Sequence, residues 1–345
     1  MHTKIVTFVS DNYSGVHPKI MQSLHDVNHG SAVAYGNDQY TLQAIEIGRN
    51  IFGKQSDICF VLNGTGANIV GLRALIKPYQ AIICAETAHI NVHECGAIEN
   101  NSGAKLLLVP TENGKITIKG VSKYLHQIGF QLSVQPKVIS ITQSTEWGTV
   151  YTIDEIKELV NFAHENGMYL HMDGARLANA AAHLQVSLQE MTIDLGVDVV
   201  SFGGTKNGMM FGEMIVFKDR EISKDIKYIR DQSTQLVSKM RYISAQFSTM
   251  FKDDLWFENA KHANHMAQIL AEELIKIPGI RLAQVVQSNG VFIYLPKEII
   301  IELQKQYACN IWDYEKSIIR LMTSWNTTQE DLDGLIDAIK KLVSY

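Results

Sequence analysis

The chain has 345 residues, 46% hydrophobic and 19% charged, with a formal net charge of −5. This balance excludes a disordered or fibrous chain and leaves no clustered basic surface for nucleic acid. The length exceeds one ordinary core and suits a large domain beside a smaller one.

Short apolar runs alternate with helical periods from about residue 15 to 260. In "FVLNGTGANIVGLRALI" a strand ends at Leu62 and Gly64-Thr65-Gly66 makes a turn. A helix follows with Ile69, Val70, Leu72 and Ala74 at apolar positions. "QAIICAE", "KLLLVP", "KVISIT", "MYLHMD" and "DVVSFG" read as buried strands. "TIDEIKELVNFAHENG" places Ile153, Ile156, Leu159, Val160 and Ala163 at helical spacing, with Thr152 and Glu155 as a capping box and Gly167 as a stop. Strand, helix and strand in this order predict a right-handed crossover and a mostly parallel sheet, whose ligand crevice lies beyond the carboxyl ends. "GEMIVF" follows "DVVSFG" so closely that it is expected to return as an antiparallel arm.

Further on, "QLVSKMRYISAQFSTMF" offers either an interface helix or a buried core helix. After about residue 260 the style changes. A long helix, "LWFENAKHANHMAQILAEELIKI", leads to strands "GIRLAQVV", "GVFIYLP" and "SIIRLMTSW". A last helix from about Thr328 to Val343 has Thr327 and Glu330 as its expected cap. No apolar run approaches the roughly 18 residues of a membrane span. The start, "MHTKIVTFVSDNYSG", lacks a cleavable apolar signal, so a cytoplasmic protein without a membrane partner is expected. Cys59, Cys84, Cys95 and Cys309 show no CxxC spacing, and three lie in or beside apolar stretches. Buried free thiols are expected rather than disulfides or a zinc site.

Four segments carry residues suited to chemistry. "YLHMDGARLANA" delivers Asp173 at the end of a strand, with Arg176 three residues later. Taken alone, these two read most simply as a surface ion pair on a turn. Lys206 follows the next strand, 33 residues beyond Asp173, so in a parallel sheet both reach one crevice. A lysine in a Gly-rich loop is usually solvated. An acid and an amine across one crevice, however, suit pyridoxal phosphate, which a lysine holds as a Schiff base while a carboxylate keeps its ring nitrogen protonated.

The Gly64-Thr65-Gly66 helix start offers free amides and a hydroxyl to a phosphate, although plain turns look similar. Neither a dinucleotide nor a nucleoside-triphosphate fingerprint is present. His89, after a strand, suits a stacking partner or proton shuttle. His89 and His93 are four apart, but the HExxH order is absent and no third ligand stands out. No metal is expected, and His93 is assigned to the core or to support of the site.

Together these segments resemble the low-specificity threonine aldolases, within the β-eliminating-lyase branch of aminotransferase-type pyridoxal-phosphate enzymes. The resemblance runs from "SDNYSGVHPKIMQSL" and "AYGNDQYT" through "NGTGAN", "ETAHI", "HECGA" and "HMDGARLANA" to "TKNG" and "IIRLMTSW". It implies an α/β fold of type I, aspartate-aminotransferase-like. An N-terminal segment over 1–14 would precede a large cofactor-binding domain over 15–260 and a small α/β domain over 261–345. Lys206 would carry the cofactor, Asp173 would pair with the pyridine nitrogen, and His89 would stack on the ring. Gly64, Thr65 and Thr205 would hold the phosphate. Ser10, Arg176 and Arg320 would hold the substrate carboxylate. Arg320 suits this on physical grounds too, since an Arg on an apolar strand needs a planar anion. A salt bridge to a protein acid would serve it equally.

The implied reaction is cleavage of threonine or allo-threonine to glycine and acetaldehyde, with His89 or a water as base. β-Elimination, transamination or a phenylserine-type cleavage is the alternative, and a non-catalytic binding module of the same fold a more distant one. A homo-oligomer, dimer or tetramer, with shared sites is also implied. One departure stands out. Many relatives carry a histidine, a candidate contact for the substrate hydroxyl, after the strand matching "KVISIT". This chain instead has "QSTEWGT" with Glu146 and Trp147, which leaves the preferred β-hydroxy amino acid open.

Overall fold

β-Branched and other apolar residues dominate seven strands whose burial is nearly continuous, the mark of a sheet covered on both faces. In the computed structural model, which describes residues 6–343, these strands are β1 (Asp57–Val61), β2 (Gln80–Ala85), β3 (Lys105–Val109), β4 (Gln135–Thr142), β5 (Tyr169–Gly174), β6 (Val199–Gly203) and β7 (Glu213–Phe217). The first five residues of the N-terminal segment lie outside the described residues. The strands lie in the order β1-β7-β6-β5-β4-β2-β3. Pairing is parallel from β3 through β6, and only β7 runs against its neighbours β6 and β1. The antiparallel return of "GEMIVF" is therefore as expected.

The chain passes from β2 out to β3, then back to β4 on the other side of β2. This reversal opens a crevice at the carboxyl ends of β2 and β4. Crossover helices cover the sheet. The Ile153–Glu165 helix carries the expected Thr152–Glu155 capping box.

The Gly64–Arg73 helix begins sooner than the sequence suggested. Asn63 accepts the Gly66 N–H at 2.8 Å, so Gly64-Thr65-Gly66 is already the first helical turn rather than a loop before it. The Asn63 side chain supplies the cap that allows this early start. The helix Arg241–Phe251 is a core helix. Its Phe247 is fully buried and its ring lies 5.2 Å from that of Phe60.

A second sheet has the order β10-β11-β9-β8, formed by β8 (Arg281–Leu282), β9 (Gly290–Tyr294), β10 (Asn310–Asp313) and β11 (Ile318–Met322). "GIRLAQVV" supplies only two strand residues. Beyond Ala283 the chain is drawn away as the Gln284 side chain donates to the Glu112 carbonyl, and Gln268 takes the Val286 carbonyl. Strand β10 was not anticipated, because "NIWD" is short and half-exposed. The last helix, Gln329–Val343, is capped one residue later than expected. The Asp331 N–H donates to Thr328 Oγ1 and the Thr328 N–H to Asp331 Oδ2. Thr327 instead accepts from the Ser324 N–H.

Two apolar clusters organise the chain. One fills the large sheet, and the other joins the small sheet to the last helix. The helix Leu255–Leu274 serves both, with Leu255, Trp256 and Ala260 in the first and Met266 to Leu274 in the second. Phe8 lies in the second cluster, its N–H bonded to the Ala308 carbonyl and its carbonyl to the Met322 N–H. The N-terminal segment thus packs along the small sheet around Phe8. Among the described residues no helix is long and apolar enough to cross a membrane.

Candidate active site

Asp173 is the last residue but one of β5, in register with Thr142 of β4 and Ser201 of β6. Lys206 sits in a short turn after β6. Two glycines explain how that turn reaches the neighbouring strand. A Cβ on Gly203 would lie 2.4 Å from the Ala175 carbonyl oxygen, and one on Gly204 would lie 2.8 Å from that of Gly212. Only glycine permits so close a backbone approach. Lys206 and Asp173 consequently line one cavity of about 300 Å³, together with His89, Asn63, Gly64, Thr65, Thr205 and Glu213. Burial, and then the Arg176 guanidinium, pull the Lys206 ammonium below its usual range against the nearby acids. Among the described residues Lys206 makes no direct hydrogen bond or ion pair.

The other walls are tied together. Asp173 accepts from the Ala175 N–H at 3.0 Å and from Asn68 Nδ2 at 2.9 Å. The same Asn68 nitrogen donates to Glu94 Oε1 at 2.9 Å, and His89 Nδ1 lies 2.7 Å from that oxygen. Glu94 Oε1 already accepts from Asn68, so the matching tautomer of His89 donates to it through Nδ1 and keeps Nε2 free. At the opposite end, Glu213 Oε2 accepts the Gly204 N–H at 2.6 Å. Burial raises its pKa to about 7, against hydrogen bonds from Thr205 and Gly204.

The two arginines differ. Arg176 grips Asp11 with Nε and Nη2, both at 2.7 Å. Burial would raise the Asp11 carboxyl, but Arg176, with help from Lys206 and Asn289, holds it below its usual range. The fork expected to face substrate is thus largely closed by Asp11. Ser10 Oγ donates to Asp11 Oδ1 at 3.3 Å and accepts the Asn12 N–H, so it shapes this corner. Arg320 makes no ion pair among the described residues. It donates only to the Val9 carbonyl at 3.3 Å, lies 5.2 Å from the Trp312 ring centre, and has a buried Nε without a partner. Burial, and then Arg176, lower its pKa to about 10, against Asp11. A protein salt bridge, the equal alternative for this arginine, is not what it makes.

His93 is exposed rather than in the core, its ring 5.7 Å from that of His89. Among the described residues no group of three or more His, Cys, Asp or Glu could hold a metal ion. Cys59, Cys84 and Cys309 are buried free thiols, and Cys95 is exposed. Sequence reasoning did not single out Asn68, Glu94, Asp11 or Glu213, although each lies in or beside a quoted motif. Their signal was a polar residue flanked by apolar or Gly-rich chain, which many surface turns share.

A doubly covered α/β sheet, with an amine and an acid on one cavity beyond the carboxyl ends of its strands, defines a class of enzyme. The chain belongs to the beta-eliminating lyase family, whose profile matches residues 7–297. It is 41% identical to the low specificity L-threonine aldolase of Pseudomonas aeruginosa over 96% of each chain. To that of a Pseudomonas sp. it is 39% identical over 98% of each. The solved structure of Leishmania major threonine aldolase superposes with a TM-score of 0.93 at 31% identity, covering 98% of this chain and 99% of that one. The fold is accordingly type I, aspartate-aminotransferase-like.

Proposed function

We propose that this protein is a threonine aldolase, a carbon–carbon lyase that cleaves threonine or allo-threonine to glycine and acetaldehyde. The observation that carries it is the placement of the Lys206 amine and the Asp173 carboxylate on one cavity, with Arg320 making no ion pair among the described residues. The near full-length relatives named above support it.

Pyridoxal phosphate fits this donor set. The amine is unpaired and depressed in basicity, as a nucleophilic lysine must be. Among the described residues the first-turn amides of Gly64 and Thr65 have no acceptor, and nothing stands within 4 Å of where a Gly64 Cβ would point. When bound, this cofactor supplies a sink for the electron pair released at Cα. Lys206 would attach it, Asp173 would keep a proton on its ring nitrogen, and His89 would lie on its face. Gly64, Thr65 and Thr205 would hold its phosphate. Arg320 would take the substrate carboxylate bidentately. Arg176 and Ser10 would complete that corner through Asp11. A homo-oligomer, dimer or tetramer, is part of the proposal.

One observation favours a second substrate. Trp147, Phe292 and Trp312 pack with ring centres 5.2–5.3 Å apart, and Trp312 underlies Arg320. Such a wall suits the aryl group of a phenylserine-type substrate. The test is to supply L-threonine, L-allo-threonine, D-threonine and phenylserine and assay aldehyde plus glycine. Ammonia with 2-oxobutanoate, or amino transfer to an oxo acid, would overturn the aldolase proposal in favour of elimination or transamination.

A further inference from the structure

Glu146 follows β4, at the switch point of the sheet, and the site as described gives it no task. Its Oε1 accepts twice, from the His89 N–H at 2.9 Å and from Thr142 Oγ1 at 2.8 Å. Its Oε2 is buried without a hydrogen-bond partner among the described residues. A buried carboxylate oxygen is ordinarily satisfied, and one that is not costs stability unless a ligand completes it.

The position of Glu146 narrows what that ligand is. Through Oε1 it is fastened to His89, which lines the cavity holding Lys206. The next residue, Trp147, packs at 5.3 Å on Trp312, over which Arg320 lies at 5.2 Å. Glu146 therefore stands at the seam between the Lys206 cavity and Arg320. A substrate with its amine toward Lys206 and its carboxylate on Arg320 must carry its β-carbon past this seam. An uncharged donor such as a hydroxyl suits the free oxygen.

Several groups face Glu146. Asp173 from β5 and Cys84 from β2 are joined by the Tyr151 hydroxyl, the Arg176 guanidinium and His89. Burial is the largest influence and lifts the carboxyl to about 7, Asp173 adding to it and the hydrogen bonds from Thr142 and His89 opposing it. A carboxyl poised there exchanges protons with an alcohol far better than one near 4.

We infer that Glu146 is a catalytic residue of the reaction proposed above, on which this role rests, its free Oε2 taking the proton of the substrate's β-hydroxyl. The O–H bond breaks toward the β-oxygen, whose electrons form the aldehyde C=O. The Cα–Cβ pair stays on Cα, which then takes a proton to give glycine. Glu146 releases its own proton to solvent before the next cycle.

The Glu146→Gln variant tests this, because an amide oxygen still accepts from His89 and Thr142 while the basic oxygen is gone. Loss of kcat/KM for retro-aldol cleavage is expected, by about 100-fold or more. Exchange of the glycine α-hydrogen in heavy water, which needs Lys206 and no β-hydroxyl, should hold at the wild-type rate. Cleavage at the wild-type rate by E146Q, or equal loss of cleavage and exchange, would overturn the role. Wild-type enzyme that exchanges glycine yet cleaves no β-hydroxy amino acid would overturn the proposed function itself, and this role with it. Infrared spectra need no turnover. Cofactor-free wild type should lose two buried carboxylic acid bands near pH 7, from Glu146 and Glu213, and E146Q only one. Two bands in the variant would also overturn the role.

Discussion

Two regions of the site are built on opposite terms. On the large-sheet side, Asp173, Asn68, Glu94 and His89 form a chain of hydrogen bonds of 2.7–2.9 Å, and Arg176 is closed by Asp11. That chain still leaves Glu94 Oε2 and Asn68 Oδ1 without partners among the described residues. Toward the small sheet Arg320 Nε and Glu146 Oε2 are likewise buried and unpartnered, and Lys206 makes no direct bond among the described residues. Satisfied groups hold shape, and unsatisfied ones cost stability that a ligand can return. The contrast is sharpest between the two arginines, for Arg176 is closed by a protein acid and Arg320 makes no ion pair among the described residues.

The largest effect expected from breaking this division lies at Lys206. Lys206→Ala should abolish cofactor absorbance and lower turnover by on the order of 10⁴-fold or more. Spectroscopic titration with pyridoxal phosphate and an aldehyde assay check both. Asp173→Asn keeps an acceptor for the Ala175 N–H but not the charge, so about 10³-fold loss of turnover with retained cofactor is expected.

The arginines sharpen the contrast. Arg176→Ala leaves Asp11 buried and without its cation, which should destabilise the fold by about 3–5 kcal/mol in denaturant titrations. Arg320→Ala should leave the melting temperature undiminished and raise KM roughly 100-fold, as loss of a charged bidentate contact would. A stable R176A and an unfolded R320A would reverse the assignment.

The smallest effect is on stability against pH. Glu213, raised from 4.5 to about 7, binds its proton more tightly folded than unfolded. Its contribution is therefore complete below pH 4.5 and fades as pH rises through 7, an upper limit on the order of 3 kcal/mol. Glu146, raised likewise, adds to the same slope. Cofactor-free protein should therefore melt lower at pH 8 than at pH 5, and Glu213→Gln should lessen that difference without removing it.

Much of the fold was legible because it is written locally. Alternating apolar runs marked β2 to β6, and Thr152 with Glu155 marked a helix start. Lys206 and Asp173 were legible because a parallel sheet delivers successive strand ends to one edge. Partners were not legible. Arg176 and Asp11 lie 165 residues apart, and Asn68 and Asp173 lie 105 apart. Whether Arg320 met a protein acid could not be read from an apolar strand, and the Asn63 cap moved a helix start that spacing alone put later.

By itself the sequence determined which segments build the large sheet, where that sheet would open, and which amine and acid would meet there. Short-range apolar patterning and capping set these, with the right-handed crossover. Only the tertiary structure decided which charges are spent on one another and which are left for a ligand. That outcome depends on desolvation and on hydrogen-bond distances between residues far apart in the chain, which no local pattern encodes.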